Sequence, residues 1–213
     1  MKLVLKLFIV VLFFISAESA FSQDFPSEIW HNGKVVLING DTVKGDIKYD
    51  FQNDLIQLNA NGILKTYGAR KLFYFDIFDE MAGGHRYFYS LPYKVHSDYE
   101  TPILFEVLFE GNISLLAREE IVTENVSASQ YNYYYYPMSP YNNYTRERLA
   151  YKFYFLEEGG EIRYYNLKKN DLLAIFGKHS KQINQYMKKN RLKHDELRDL
   201  VRITSYYNAI VGS

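Results

Sequence analysis

The chain has 213 residues with 25 Lys+Arg against 25 Asp+Glu, a formal net charge of +0, 47% hydrophobic and 17% aromatic content, and no cysteine. Disulfide staples are excluded, so stability must come from an apolar core, and there is ample apolar surface to offset chain entropy. A strongly basic nucleic-acid binder is excluded as well, and no nucleic acid is expected among the partners.

The first 22 residues read as a signal peptide. Lys2 and Lys6 form a short basic start, an apolar run follows from Leu7 to Ile15, and Ala20-Phe21-Ser22 supplies the small-x-small site for cleavage before Gln23. A membrane anchor would need about 20 apolar residues, whereas this run is interrupted at Ser16 and Glu18. No cysteine follows the run, which removes the lipoprotein route. The mature chain is expected to carry no transmembrane segment and to be periplasmic, outer-membrane-associated or secreted.

From residue 23 to 166 the apolar pattern has period two and is punctuated by turn residues, as in an antiparallel β body. Lys34–Ile38, a turn at Asn39-Gly40-Asp41, and Thr42–Tyr49 make a first hairpin. Leu55–Leu58 and Ile63–Tyr67 make a second around "NANG". Further strands are expected in "RKLFYFDIFD", "RYFYSLPY", on both sides of Gly111-Asn112, and on both sides of Gly159-Gly160. Tyr49, Phe73, Phe75, Phe105, Phe109, Phe153 and Phe155 fit inward-facing positions.

After Leu167 the period becomes helical. Leu172, Leu173 and Phe176 share one face of a segment that stops at Gly177. Ile183, Tyr186 and Met187 share another, and Leu197, Leu200, Val201, Thr204, Tyr207 and Val211 a third. Residues 167–213 therefore read as three short helices packed on the body. The predicted class is α+β: a curled meander, sandwich or barrel of about eight to ten antiparallel strands with a helical cover. Charge divides along the same boundary. Residues 23–162 hold 12 basic and 20 acidic residues, and residues 163–213 hold 11 basic and 4 acidic.

The leader ending in "FSQ", the opening "GKVVLINGDTVKGDIKYD" and the terminal block "KKNDLLAIFGKHSKQINQYMKKNRL" together resemble uncharacterised exported proteins of Bacteroidota. The resemblance covers both ends of the mature chain and implies a cell-envelope or secreted setting. It implies no activity and carries over no site residues.

Catalytic signatures are sparse. No serine sits in a Gly-x-Ser-x-Gly elbow, and no two of His31, His85, His96, His179 and His194 stand four apart as a zinc platform requires. His96–Asp98 and His194–Glu196 are short polar clusters; at the latter, a helix start is reason enough for Asp195 and Glu196. Glu106 and Glu110 share a strand face about 13 Å apart. Glycosidase carboxyl pairs stand about 5 to 9.5 Å apart, so this pair reads as solvent-facing. Glu119-Glu120 and Glu157-Glu158 read as loop or strand-edge charge, and Gly83-Gly84 and Gly159-Gly160 as hairpin turns. No catalytic residue, metal ligand or cofactor is expected.

What remains is "YNYYYYPMSPYNNY", which packs seven of the 21 tyrosines into residues 131–144. It falls in a connection of about 26 residues, 123–148, between two strands, and loops of that length are usually functional or disordered. Tyrosine offers a flat apolar body with a polar tip, which makes Tyr133, Tyr134, Tyr135, Tyr136, Tyr141 and Tyr144 the candidate contacts for an envelope protein or a glycan. Asn112-Ile113-Ser114, Asn125-Val126-Ser127 and Asn143-Tyr144-Thr145 match glycosylation acceptors. The sequence thus points to an exported, non-catalytic binding or structural protein. The alternatives are a hydrolase of envelope polymers using sheet carboxylates and a barrel-type carrier of small ligands.

Overall fold

In a computed structural model of the chain, the residues described are 24–95, 98–126 and 144–212. The segment read as a leader, with its expected cleavage site, and His96 lie outside them.

Ten strands run in the order β1 (His31–Leu37), β2 (Thr42–Asp50), β3 (Leu55–Ala60), β4 (Ile63–Gly68), β5 (Leu72–Asp79), β6 (Gly84–Tyr93), β7 (Thr101–Phe109), β8 (Ile113–Val126), β9 (Tyr144–Glu157) and β10 (Ile162–Tyr165). Three helices follow: α1 (Lys169–Ile175), α2 (Ser180–Asn190) and α3 (Leu197–Val211). The strands form one antiparallel sheet, β10-β9-β8-β7-β6-β5-β1-β2-β3-β4. The class is α+β, dominated by this sheet, with the short helices clustered at the C-terminus.

Turn chemistry sets the hairpins. Asn61 and Gly62 both take positive φ, 53° and 80°, and close β3 onto β4 by a two-residue turn. Between β1 and β2 only Gly40 is positive, at 91°, and its N–H donates to the Leu37 carbonyl at 2.9 Å.

A single short link curls the sheet. β4 lies at one edge and β5 beside β1, so on a flat sheet they would stand four strand spacings apart, about 19 Å. Only the 3-10 turn Ala69–Lys71 joins them, and even fully extended it would reach about 14 Å. The strands β1 to β4 therefore bend round until β4 approaches β5. The resulting interior is filled by Val35, Ile47, Tyr49, Phe51, Ile56, Phe75, Phe88 and Leu104. Phe75 and Phe88, a cross-strand pair, stack with centroids 4.5 Å apart.

The helices cover the other half of the same concave face. Leu115 and Ala117 of β8 and Phe153 and Phe155 of β9 meet Leu172, Phe176, Ile183, Met187, Leu200 and Ile203. Each of the Leu, Ile, Phe and Met side chains contributes roughly 1.5–3 kcal/mol on burial. The predicted helical faces hold at Leu172, Phe176, Ile183, Met187, Leu200 and Thr204, whereas Val211 is 37% exposed and Ile203 takes an inward place.

Two aromatic positions differ from expectation because the ladder slips. Phe73 is 55% exposed: β1 pairs Val36 with Tyr74 and Leu37 with Leu72, so Phe73 is the extra residue of a bulge and turns outward. A second bulge in β7, between Val107 and Phe109, leaves Phe109 half-buried beside the helix layer. The connection expected over 123–148 is shorter, because Thr123 pairs with Glu147 and the ladder continues to Val126 opposite Tyr144. Among the described residues no helix is long and apolar enough to cross a membrane.

Candidate functional site

The strands β8 and β9 are each 14 residues long, and only their inner parts belong to the body of the sheet. β7 follows β8 as far as Glu106 opposite Ala117, and β10 follows β9 as far as Tyr165 opposite Phe153. Beyond these, nine cross-strand pairs from Arg118↔Lys152 to Val126↔Tyr144 have no neighbouring strand on either side among the described residues. The result is a two-stranded ribbon about 27 Å long. Thr123, Asn125 and Thr145 to Arg148 are exposed along it. One face carries the ion pairs Glu120–Lys152 at 2.6 Å, Glu124–Arg146 at 3.2 Å and Glu124–Arg148. The opposite face pairs Ile121 with Leu149.

Consecutive residues at the root of the ribbon are clamped on opposite faces. Arg118 reaches into the split between β7 and β8, where it donates to the Asp54 carboxylate at 2.7 Å, to the Leu104 carbonyl at 2.6 Å and to the Phe51 carbonyl. Asp54 also accepts from the Leu104 N–H at 2.8 Å, so the β2–β3 turn supplies the partner that β8 withdraws.

Glu119, on the other face, enters a buried ion cluster. Its carboxylate accepts from the Tyr49 hydroxyl at 2.8 Å and from Arg86 Nη2. Arg86 also holds Glu106 through Nε and Nη2, at 2.8 and 2.7 Å, and Asp79 through Nη1 at 3.0 Å. A last bond, 3.1 Å, runs from Nη1 to the Tyr49 oxygen. All five guanidinium N–H groups are thus engaged. Asp79 accepts in addition from the amides of Met81 and Ala82, which ties the β5–β6 turn to the cluster.

Three carboxylates share one guanidinium, and the proton affinities of two of them, Glu119 and Asp79, are pushed in opposite directions. Burial raises the Glu119 carboxyl above its ordinary value, outweighing the pull of Arg86 and the Tyr49 hydrogen bond. Asp79 is also pushed up by burial, but the Ala82 amide and Arg86 prevail and hold it below its ordinary value. The Tyr49 hydroxyl is driven up by burial and then by Glu119, so it stays a donor.

The sequence-level reading of these acids requires correction. Glu106 and Glu119 are each 6% exposed, not solvent-facing or strand-edge charge. The carboxylates brought together are Asp79, Glu106 and Glu119, while Glu110 stands exposed past the end of β7. The available signal was strand parity. Asp79 falls in step with Phe75 and Ile77, Arg86 with Phe88, and Glu106 with Leu104, so each charge sits on an otherwise apolar face. His31, also buried, donates from Nε2 to the Pro26 carbonyl at 2.7 Å. Among the described residues no group of three His, Asp or Glu is placed to hold a metal ion.

Of the candidate contact tyrosines, Tyr133, Tyr134, Tyr135, Tyr136 and Tyr141 lie outside the described residues. Tyr144 begins β9, its backbone paired with Val126. No family model, curated protein or solved structure matches the chain.

Proposed function

We propose that the chain is an exported, non-catalytic binding protein of the cell envelope, and that the β8–β9 ribbon is the element with which it grips a protein partner. One observation carries the reading: seven residue pairs of ribbon, from Glu120↔Ala150 to Val126↔Tyr144, extend beyond a root clamped from both faces by Arg118 and Glu119. Free strand edges on a rigid base suit addition of an extended partner segment, with main-chain hydrogen bonds giving affinity and alternate side chains giving selectivity. The export signal and the resemblance to exported Bacteroidota proteins supply the setting.

Two further observations favour binding over the alternatives. A hydrolase using the sheet carboxylates would need open space between Glu106 and Glu119, and Arg86 occupies it. A carrier would need an apolar hollow, and aromatic side chains of β2, β5 and β6 fill the interior of the curl.

The test is site-directed photo-crosslinking in the native host. A photoreactive side chain at Thr123 or Thr145 should capture one and the same envelope protein, and the same probe at exposed Lys44 on β2 should not. Equal capture from Lys44, or none from the ribbon, would overturn the proposal.

A further inference from the structure

The helical cover carries a second surface, remote in sequence from the ribbon. An open groove of about 790 Å³ runs along α2 and the turn before it. Lys178, Lys181 and Lys189 line it, and its lining includes neither a carboxylate nor an aliphatic side chain. Among the described residues none of these three lysines takes part in an ion pair, whereas Lys152, Arg163, Lys193 and Arg202 each have an acidic partner. The basic excess of residues 163–213 is therefore uncompensated here.

The rest of the lining is aromatic and amide. Tyr186 of α2 and Tyr206 of α3 stack with centroids 3.9 Å apart and planes 8° from parallel, and Gln182 donates to the Tyr206 hydroxyl at 3.2 Å. Gln185 adds a second carboxamide. From Lys178 to Lys189 the groove follows the chain for about 16 Å.

We infer that this groove binds a segment of acidic polysaccharide, its carboxylate or sulfate groups held by Lys178, Lys181 and Lys189. A flat tyrosine surface suits the apolar face of a sugar ring, and carboxamides both donate to and accept from hydroxyls. Unpaired ammonium groups attract anionic substituents without first breaking an internal ion pair. An anionic lipid is a poorer fit, since the lining offers no aliphatic surface to an acyl chain.

The experiment is calorimetric titration of the purified mature protein with polygalacturonate and dextran sulfate oligomers. Neutral dextran, phosphatidylglycerol vesicles and oligothymidylate serve as competing probes. Binding to at least one acidic oligosaccharide is expected, with none to dextran and with affinity falling as salt is raised from about 50 to 500 mM. Lys181→Gln and Lys189→Gln should each weaken it about threefold to fivefold, and Tyr206→Ala should weaken it with the salt dependence retained. Lys181 and Lys189 are exposed and Tyr206 is half-buried against the helical core, so circular dichroism unchanged from the parent is required of each variant before its binding is compared. Failure to bind either acidic oligomer, equal binding to dextran, preference for vesicles or oligothymidylate, or indifference to the lysine variants would each overturn the proposal. A chain with its ribbon trimmed should bind unchanged, so the two proposals stand or fall separately.

Discussion

The carboxamide of Asn208 lies against the backbone of Ile113, accepting from its N–H at 3.1 Å and donating to its carbonyl at 2.9 Å. One side chain of α3 thereby takes the place of a neighbouring strand at the start of β8, and it fixes how the helices dock on the sheet. Gly111 makes this possible, because a Cβ there would come within 2.4 Å of the Asn208 amide.

The two residues should therefore be coupled. Asn208→Ala leaves the Ile113 N–H and carbonyl without their partner and should cost about 1–3 kcal/mol. Gly111→Ala should be destabilising by pushing Asn208 away. The double variant should cost less than the sum of the two by at least about 0.5 kcal/mol, since the added methyl then enters vacated space. Urea unfolding of the four proteins measures this, and strict additivity would refute the steric relationship.

In the buried cluster, removing the cation should hurt far more than removing one anion. Arg86→Met strands Asp79, Glu106 and Glu119 together and should cost about 3–5 kcal/mol or more. Glu119→Gln leaves Arg86 with two carboxylates and nearly the same shape, and should cost roughly 1 kcal/mol. Denaturant midpoints that ranked the two in the opposite order would mean that the guanidinium is not the hub.

Acidity should act in two opposed ways. Asp79 is held below its ordinary value of 3.8, so the native state binds its proton less readily than the unfolded chain. Its stabilisation is complete above that value and is lost as pH falls through the lower folded value. Glu119 is raised above 4.5, so the native state binds its proton more readily, and stability declines as pH rises from 4.5 through the folded value. Stability should accordingly peak in mild acid. Glu119→Gln should abolish the decline above the peak and leave the acid limb intact, which thermal unfolding across pH can read directly.

The parts of the fold that were legible in the sequence follow from local periodicity. Alternation over Val43 to Tyr49 and three-four spacing over Leu197 to Thr204 depend only on which face is wet. The bulges that turn Phe73 outward and bring Phe109 toward the helices were hidden, since a bulge is a property of two strands in register. The Arg86 cluster was hidden for a related reason. Parity places each charge on an inward face, but Tyr49 and Glu119 are 70 positions apart and meet only because the short β4–β5 link bends the sheet. The groove on α2 was half visible, as a basic tail without the stacked tyrosine pair that gives it a surface.

The export expectation has its own test. Mass spectrometry of the protein recovered from the host should show a chain beginning at Gln23. A chain retaining the basic start and the apolar run would contradict it.

The ribbon makes the sharpest prediction about how stability is distributed. Replacing residues 123–147 by an Asn-Gly turn joins Val122 to Arg148, which already face each other, and removes mainly exposed pairs such as Glu124–Arg146. Exposed, solvent-screened ion pairs add little to stability, so this shortened chain should unfold within a few degrees of the parent. Cutting back further, with the turn joining Arg118 to Lys152, removes Glu119. The Tyr49 hydroxyl then loses its acceptor and the inner end of the ribbon loses one of its two clamps. That chain should be less stable than the first by about 1–3 kcal/mol. Both variants should fail to co-purify with the protein that the parent captures through Thr123 or Thr145, but only the second should lose stability. Equal stability of the two would show that the ion cluster does not anchor the ribbon, and a large loss in the first would show that the outer ribbon belongs to the folded body.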